Sequence, residues 1–520
     1  RFFLRVADGF PLSTWRMAST ASPVTRRPRL SLLALSAIIY YSVSGGPYGA
    51  EDAVASAGPL LSLAGFLFMP LVWSLPEALV TAELATTFPS NAGFVEWVTA
   101  AFGPFWGFQE GFLSWISSVA DASLYPVLFR QYLEELWPQI FGGFYGQIFV
   151  VAVTLLMGVL NLAGLSIVGW VAFLLAGFVL SPFLYMVVVG IPQISMERLL
   201  VSPPVSEVQW SDFLNTLFWN LNYWDTASTL AGEVEDVKTT YPKALAIALV
   251  AVVLSYFLPL LVGLGVSGSD WRNWKDGQFA ELGHRLGGSF LKSWVICGAA
   301  VSCLGQQLSE MAEAAFQLQG MAEDGWLPSC FAQRSRFDTP WLPLLVITVL
   351  VLVLSLSSSF SSIIEMLNAV YCVAQVLEFS AFLHLRRKHN DLDRPFRVPC
   401  SSFAACCCLL LMPFAFCVVL LVMPFISGDS LQIKALLVSI LLGLVLYQVL
   451  ELSRRRGWLH FYRSPPSGLE DILASRVPES PTTSLWDRNE RLEDHSLQRS
   501  VVSMPGSWRQ SELTQSLGRL

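Results

Sequence analysis

The sequence predicts an all-α integral membrane protein of about twelve transmembrane helices, the first and sixth of them interrupted. Hydrophobic residues fill 54% of the 520 positions and charged residues only 14%, against roughly 25% charged in an ordinary soluble domain, so water is not the solvent for most of the chain. Stretches of about 20 mainly apolar residues, enough to cross roughly 30 Å of hydrocarbon, recur from Ser31 to Leu452. Two of them carry Gly, Pro, Asn or Asp clusters near their middles.

The predicted segments are 31–56, 59–85, 103–130, 146–166, 167–190, 211–232, 243–266, 288–320, 341–359, 362–385, 403–425 and 431–452. An even count places both termini on one side of the membrane. Arg26, Arg27 and Arg29 precede segment 1, and Lys238 and Lys243 follow segment 6. Arg334 and Arg336 follow segment 8, Arg386, Arg387, Lys388, Arg394 and Arg397 follow segment 10, and Arg454 to Arg456 end segment 12. All lie on one face, so both termini are expected in the cytoplasm, with the plasma membrane as the expected host. The other face has fewer basic residues: Arg130, Arg198, Lys434 and a mixed-charge loop with Arg272, Lys275 and Arg285.

Three regions follow. Residues 1–29 read as a disordered cytoplasmic segment without a signal-peptide core, so the first apolar helix is expected to direct insertion; the chain opens with Arg1, and Met17 is an alternative start. Residues 30–452 form the membrane domain. Residues 453–520 read as a mostly disordered cytoplasmic tail of Arg, Glu, Ser, Pro and Gln, with too few apolar residues to offset chain entropy; its serines are either regulatory or merely solvated.

The net charge of -7 comes largely from loops and tail, and no nucleic-acid partner is expected. Nine cysteines show no metal-ligand spacing, and Cys406 to Cys408 lie in an apolar helix as packing residues, so no metal, disulfide or cofactor is expected. No phosphate loop or nucleophile motif appears, so an enzyme is the least expected class.

In segment 1 the run Ser44, Gly45, Gly46, Pro47, Tyr48, Gly49 cannot continue a helix: Pro47 lacks an N–H and restricts Gly46, and the glycines favour non-helical angles. Such backbone is tolerated at membrane depth only where protein buries it or where it lines a cavity. The alternative is a simple kink. In segment 6, Asn220, Asn222 and Asp225 interrupt an aromatic run, and a central Asp costs roughly 2.5–3.5 kcal/mol on insertion. Paired interruptions in corresponding helices point to an inverted-repeat transporter, with half-helix dipoles facing a central cavity. Trp219, Tyr223 and Trp224 are placed to enclose a cation with their rings, or simply to pack.

Further acids fall within predicted helices. Glu83 and Glu378 lie near helix ends, where structural pairing is expected. Asp121 lies inside segment 3 as either a binding or proton-relay group or a buried anchor, and Glu77 and Glu310 are lesser candidates.

The motifs Val43–Asp52, Trp73–Val95, Phe105–Gly111, Tyr125–Phe129, Phe218–Glu235, Gly320–Pro328, Leu377–Phe379 and Arg394–Pro399, taken in order, resemble the amino acid–polyamine–organocation transporter superfamily, specifically its plant-type polyamine uptake transporters. The resemblance covers about residues 30 to 400. It implies a leucine-transporter-type fold of two inverted five-helix repeats plus two further helices, and proton-coupled uptake of an organic cation or amino acid. The implied substrate site comprises Ser44, Gly45, Gly46, Tyr48, Gly49, Trp219, Asn222, Tyr223, Trp224 and Asp225, with Asp121, Asp225 and Glu310 as proton-coupling or cation-binding groups. The chain departs from the family pattern at Ser42, Leu308 and Leu367, where acids are expected, and at Ser114, where a Lys is expected. Three readings follow: a polyamine importer, an amino acid permease on the same fold, and a non-transporting membrane sensor.

Overall fold

A computed structural model of the chain describes residues 30–267, 271–275, 277–357, 360–427 and 430–476. The expected N-terminal segment and the tail beyond residue 476 lie outside these residues. Contacts divide the chain after Gly468; in the second unit the described residues, 469–476, hold one helix, Leu469–Ala474.

The first unit is helical throughout, and its β-structure among the described residues is limited to two isolated bridges, Leu30 with Val234 and Arg334 with Pro340. The main helices are α1 (Leu32–Val43), α2 (Glu51–Met69), α3 (Leu75–Thr87), α4 (Phe94–Phe102), α5 (Pro104–Ala122), α6 (Tyr125–Leu136), α7 (Gly143–Ala163) and α8 (Leu165–Gly190). There follow α9 (Trp210–Leu221), α10 (Val237–Ser267), α11 (Gln278–Glu323), α12 (Trp341–Ser357), α13 (Phe360–Lys388), α14 (Phe403–Ser427) and α15 (Ser430–Arg455). Gly58, with φ 79° and Pro59 behind it, bends α2 where the boundary between segments 1 and 2 is predicted.

Among the described residues nine helical spans are long and apolar enough to cross a bilayer. The three remaining predicted segments fall short: α1 and α9 each have 12 residues before their breaks, and α12 has 17.

Helices α8, α10 and α11 pack around α1, α9 lies against α2, and α13 lies against α5. Lipid tails are as apolar as leucine, so helices in a bilayer associate through close approach rather than through a hydrophobic drive. Glycines supply the close contacts: a Cβ at Gly169 would meet Ala34, one at Gly305 the Tyr41 ring, and one at Gly320 the backbone of Asn91 and Ala92. The outer surface is apolar, with Leu411, Phe425, Leu437 and Leu441 exposed on α14 and α15, as a lipid-facing surface requires.

Buried charge on the membrane domain is paired where helices end. Glu83 sits between Arg386 and Arg394 and accepts the Val398 N–H at 2.8 Å. The chain beyond α15 stays attached rather than leaving at Ser453. The Ser329 N–H donates to the His460 carbonyl at 2.9 Å and Arg463 pairs with Asp324, while Arg454, in the last turn of α15, donates to the Gly325 carbonyl at 2.5 Å.

Candidate functional site

Both expected breaks are present and face each other. After α1, Ser44 is extended, Gly46 turns to φ 105° and Gly49 to φ 82°, values a side chain would strain. A Cβ on Gly45 would collide with the Gln306 side chain, and one on Gly49 would lie 2.8 Å from the Trp219 ring. The freed donors find partners close by: the Gly46 N–H donates to Ser44 Oγ at 3.1 Å and the Gly49 N–H to Glu51 Oε2 at 3.0 Å. After α9, Asn222 is extended and Tyr223 is held at φ 69° before a 3-10 turn, Thr226–Glu233. With its nitrogen as donor, the Asn222 amide reaches the Trp219 and Phe218 carbonyls at 3.0 and 3.3 Å. Ser74 donates to the Leu221 carbonyl at 2.9 Å and Glu77 accepts the Trp224 N–H at 2.8 Å, so the residue before α3 and the first turn of α3 support this break.

Between the breaks lies a cavity of about 450 Å³ walled by α1, α2, α5, α6, α9, α10 and α11. Asp52, Asp121 and Asp212 line it, with Tyr48, Tyr125, Tyr132, Trp219, Tyr223 and Tyr256, and among the described residues no Lys, Arg or His does. Asp52, Gln209 and Asp212 are exposed, so the cavity opens at that end. On its wall the Tyr125 hydroxyl lies 3.0 Å from Asp121 Oδ2 and 2.7 Å from Glu310 Oε1, and accepts from Gln306 Nε2 at 3.2 Å. The Trp219 indole N–H donates to Asp121 Oδ1 at 3.3 Å. The set is a carboxyl pair bridged by one phenol, beside an aromatic face.

Deeper in the core a second set repeats this composition. The Tyr371 hydroxyl contacts Asp225 Oδ1 and lies 3.0 Å from Glu77 Oε1, while Gln375 Nε2 donates to it at 2.9 Å. A phenol has one proton, so it donates to only one of two carboxyls. Glu378 neighbours both Asp225 and Glu110, and Glu110 accepts from Ser114 at 2.9 Å.

The far end is closed. Leu30 bridges Val234 with N–H···O distances of 3.0 and 3.1 Å, and the adjacent Glu233 is held by Arg334 and by Asn91 Nδ2 at 2.9 Å.

An amino acid permease family model matches residues 30–446, most of the described chain. The chain belongs to the amino acid permease family. Polyamine transporter PUT1 of Oryza sativa subsp. japonica is 44% identical to the permease over 457 residues, covering 88% of this chain and 84% of the relative. Polyamine transporter RMV1 of Arabidopsis thaliana is 44% identical over 448 residues, 86% of this chain and 90% of the relative. A probable polyamine transporter of the same plant is 47% identical over 440 residues, 84% and 90% respectively. The permease is therefore a multi-pass membrane transporter and not an enzyme, in the superfamily its motifs resemble.

Of the residues expected at the substrate site, Gly45, Tyr48, Gly49, Trp219, Tyr223 and Asp121 border the cavity of the permease. Ser44 and Gly46 shape the α1 break behind it. Glu310 sits behind Tyr125, while Asn222, Trp224 and Asp225 lie in the wall, Trp224 donating its indole N–H to the Leu221 carbonyl at 2.8 Å. Glu378 departs from the expected pairing at a helix end: it is buried among acids without a basic partner among the described residues. Gln306, Tyr371 and Gln375 stand outside the sequence expectations, and Tyr125 enters them only as the first residue of a family motif. The usable signal is spacing: Gln306 and Glu310, and Tyr371 and Gln375, are four apart on one helix face, and Asp121 and Tyr125 are four apart across the turn that joins α5 to α6.

The departures from the family pattern acquire local roles. Ser42 donates to Glu313 Oε1 at 2.5 Å, as Ser114 does to Glu110, so each faces a carboxyl. Leu308 is wholly buried. The side chain of Leu367 lies outside the described residues.

Proposed function

We propose that the permease imports polyamines by proton-coupled symport across the plasma membrane. One observation carries this reading: among the described residues the cavity is lined by three aspartates and six aromatic rings and by no basic side chain. Carboxylates with aromatic faces suit an organic polycation, which gains ion pairing and ring contacts together. An amino acid substrate would instead present its carboxylate to free N–H groups at the α1 break. There the Gly46 and Gly49 N–H groups are already taken by Ser44 and Glu51, and Asp52 follows, which disfavours an anion.

In this reading the molecule adopts twelve crossings in two inverted five-helix repeats plus two helices, with both termini cytoplasmic. The cavity mouth at Asp52 and Asp212 then faces outward, and the closure of Leu30 on Val234 is the cytoplasmic gate. Protonation and deprotonation of the bridged carboxyls, Asp121 with Glu310 or Asp225 with Glu77, accompany rocking between the two states.

The deciding experiment is uptake of labelled putrescine, spermidine, leucine and arginine by proteoliposomes with and without a pH gradient. Saturable polyamine uptake that collapses with a protonophore is the expected result. Competition by leucine or arginine but not by spermidine would establish the amino acid reading, and ligand binding without flux the sensor.

A further inference from the structure

The bridged carboxyl pair occurs twice in this core, and only the first copy meets the cavity. Tyr125 with Gln306 joins Asp121 to Glu310, and Tyr371 with Gln375 joins Asp225 to Glu77. The second copy is sealed: Glu77, Glu110, Asp225 and Glu378 are each at most 1% exposed. The four carboxyls face one another, Glu77 against Asp225 and Glu378 against both Asp225 and Glu110, and among the described residues the buried amide oxygen of Gln375 has no hydrogen-bond partner. Among the described residues no Lys or Arg pairs with any of the four acids. Like charges at this depth cannot all be ionised without a cation. Among the described residues no group of three His, Cys, Asp or Glu is placed to hold a metal ion. Four facing carboxyls, an amide oxygen and a second phenol are rich in acceptors and poor in donors, which suits a group bearing several N–H donors.

Helix α5 connects the two copies. Glu110, Ser114, Ser117 and Asp121 follow one another at helical spacing on one buried face. Eleven residues separate the first from the last, or about 16 Å at roughly 1.5 Å per residue, before side-chain reach is subtracted. One side chain stands between the copies. Tyr223 lines the cavity, its hydroxyl lies 3.2 Å from Ser117 Oγ, and its ring packs on Tyr371 at 4.3 Å between centroids. Its backbone is held at φ 69°, which a bulky residue adopts only under constraint.

We infer that the cluster of Glu77, Glu110, Asp225 and Glu378 is a second ammonium subsite, taking the far amine of a linear tri- or tetraamine whose near amine rests at Asp121 and Glu310, with Tyr223 as the side chain that turns aside. This rests on the polyamine reading above. A short diamine satisfies one subsite at a time; a longer chain satisfies both.

The test is competition against labelled spermidine uptake in proteoliposomes by alkane diamines of increasing length, with monoamines of matched length as controls. In the unaltered permease, inhibition strengthens by roughly tenfold once the diamine reaches both subsites, and matched monoamines show no such step. In Glu378→Gln and Glu110→Gln variants the step flattens and the ratio of spermine to putrescine uptake falls. Inhibition that does not depend on diamine length, or a step that survives both substitutions, overturns the second subsite while leaving polyamine transport standing. Equal slowing of putrescine and spermine in both variants also overturns it, assigning the cluster to protons alone. The unaltered protein is tested directly, so a variant that fails to fold does not rescue the inference. If no polyamine or diamine competes at all, the transport reading falls, and this inference with it.

Discussion

Asp121 and Gly320 show two ways in which one residue acts in this permease. Asp121 accepts from Trp219 and shares Tyr125 with Glu310, so its carboxylate is both placed and exposed to the cavity. Asp121→Asn keeps the shape and removes the charge. A hydrogen bond to a charged group contributes about 1.5–3 kcal/mol, so spermidine uptake efficiency is expected to fall roughly ten- to a hundredfold with protein yield retained. Unchanged uptake would remove Asp121 from the site. Gly320 acts by having no side chain: a Cβ there would overlap the Asn91–Ala92 backbone, which cannot step aside as a flexible side chain can. Gly320→Ala is expected to destabilise by at least about 1–3 kcal/mol, seen as a lower melting temperature in detergent. Gly177→Ala, where a Cβ meets open space on α8, is the control and is expected to be neutral or slightly stabilising.

Among elements, the closed end depends on one ion pair and one bridge. Glu233 is buried, and Arg334 is its basic partner in that contact. Breaking a buried pair from one side costs roughly 3–5 kcal/mol because a charge is left uncompensated. Arg334→Ala is therefore expected to weaken the join of Leu30 to Val234. With Cys330 replaced, a Val234→Cys reporter should then label faster with a polar thiol reagent; equal labelling would show that Asn91 and the backbone bridge suffice.

The chain after α15 offers a pH-dependent element. Burial, and secondarily the nearby Glu96 charge, push the Asp324 carboxyl up to about 7, against the opposing pull of Arg463. Its pKa is raised above the unfolded carboxylate value of about 3.9, so its stabilising contribution is complete below about pH 4 and is lost as pH rises through about 7. Hydrogen exchange at the Ser329 amide, bonded to the His460 carbonyl, should report it: the protection factor is expected to be higher at pH 5 than at pH 8. The opposite order would mean that the Arg463 pair dominates.

For the whole molecule, an open cavity at one end and a closed bridge at the other describe one state of an alternating-access cycle. The proposed orientation predicts that a cysteine at Asp212 reacts with an impermeant reagent from outside intact cells, and that one at Lys238 reacts only after permeabilisation. The reverse pattern would invert the assignment of the gate. Both ends cannot be open at once without a leak, so substrates that occupy the cavity should slow labelling at the Asp212 position.

The sequence alone carried the membrane character and both breaks, because each depends on local covalent facts: apolar length, a missing N–H at Pro47, and glycines that accept positive φ. It also singled out Asp121, Asp225 and Glu310 as costly intramembrane acids. Which acids meet was decided only by tertiary structure. Tyr125 joins Asp121 to a glutamate 185 positions away, and Tyr371 reaches Glu77 across 294. Glu378 reads as an interface residue from its place near a helix end, yet packing turns it toward Asp225 and Glu110. The reason is physical: a helix that is apolar nearly all round has little amphipathic signal to set its rotation. Its facing partners are chosen by small-residue contacts and by buried polar groups seeking one another, and both belong to the assembled bundle rather than to any stretch of chain.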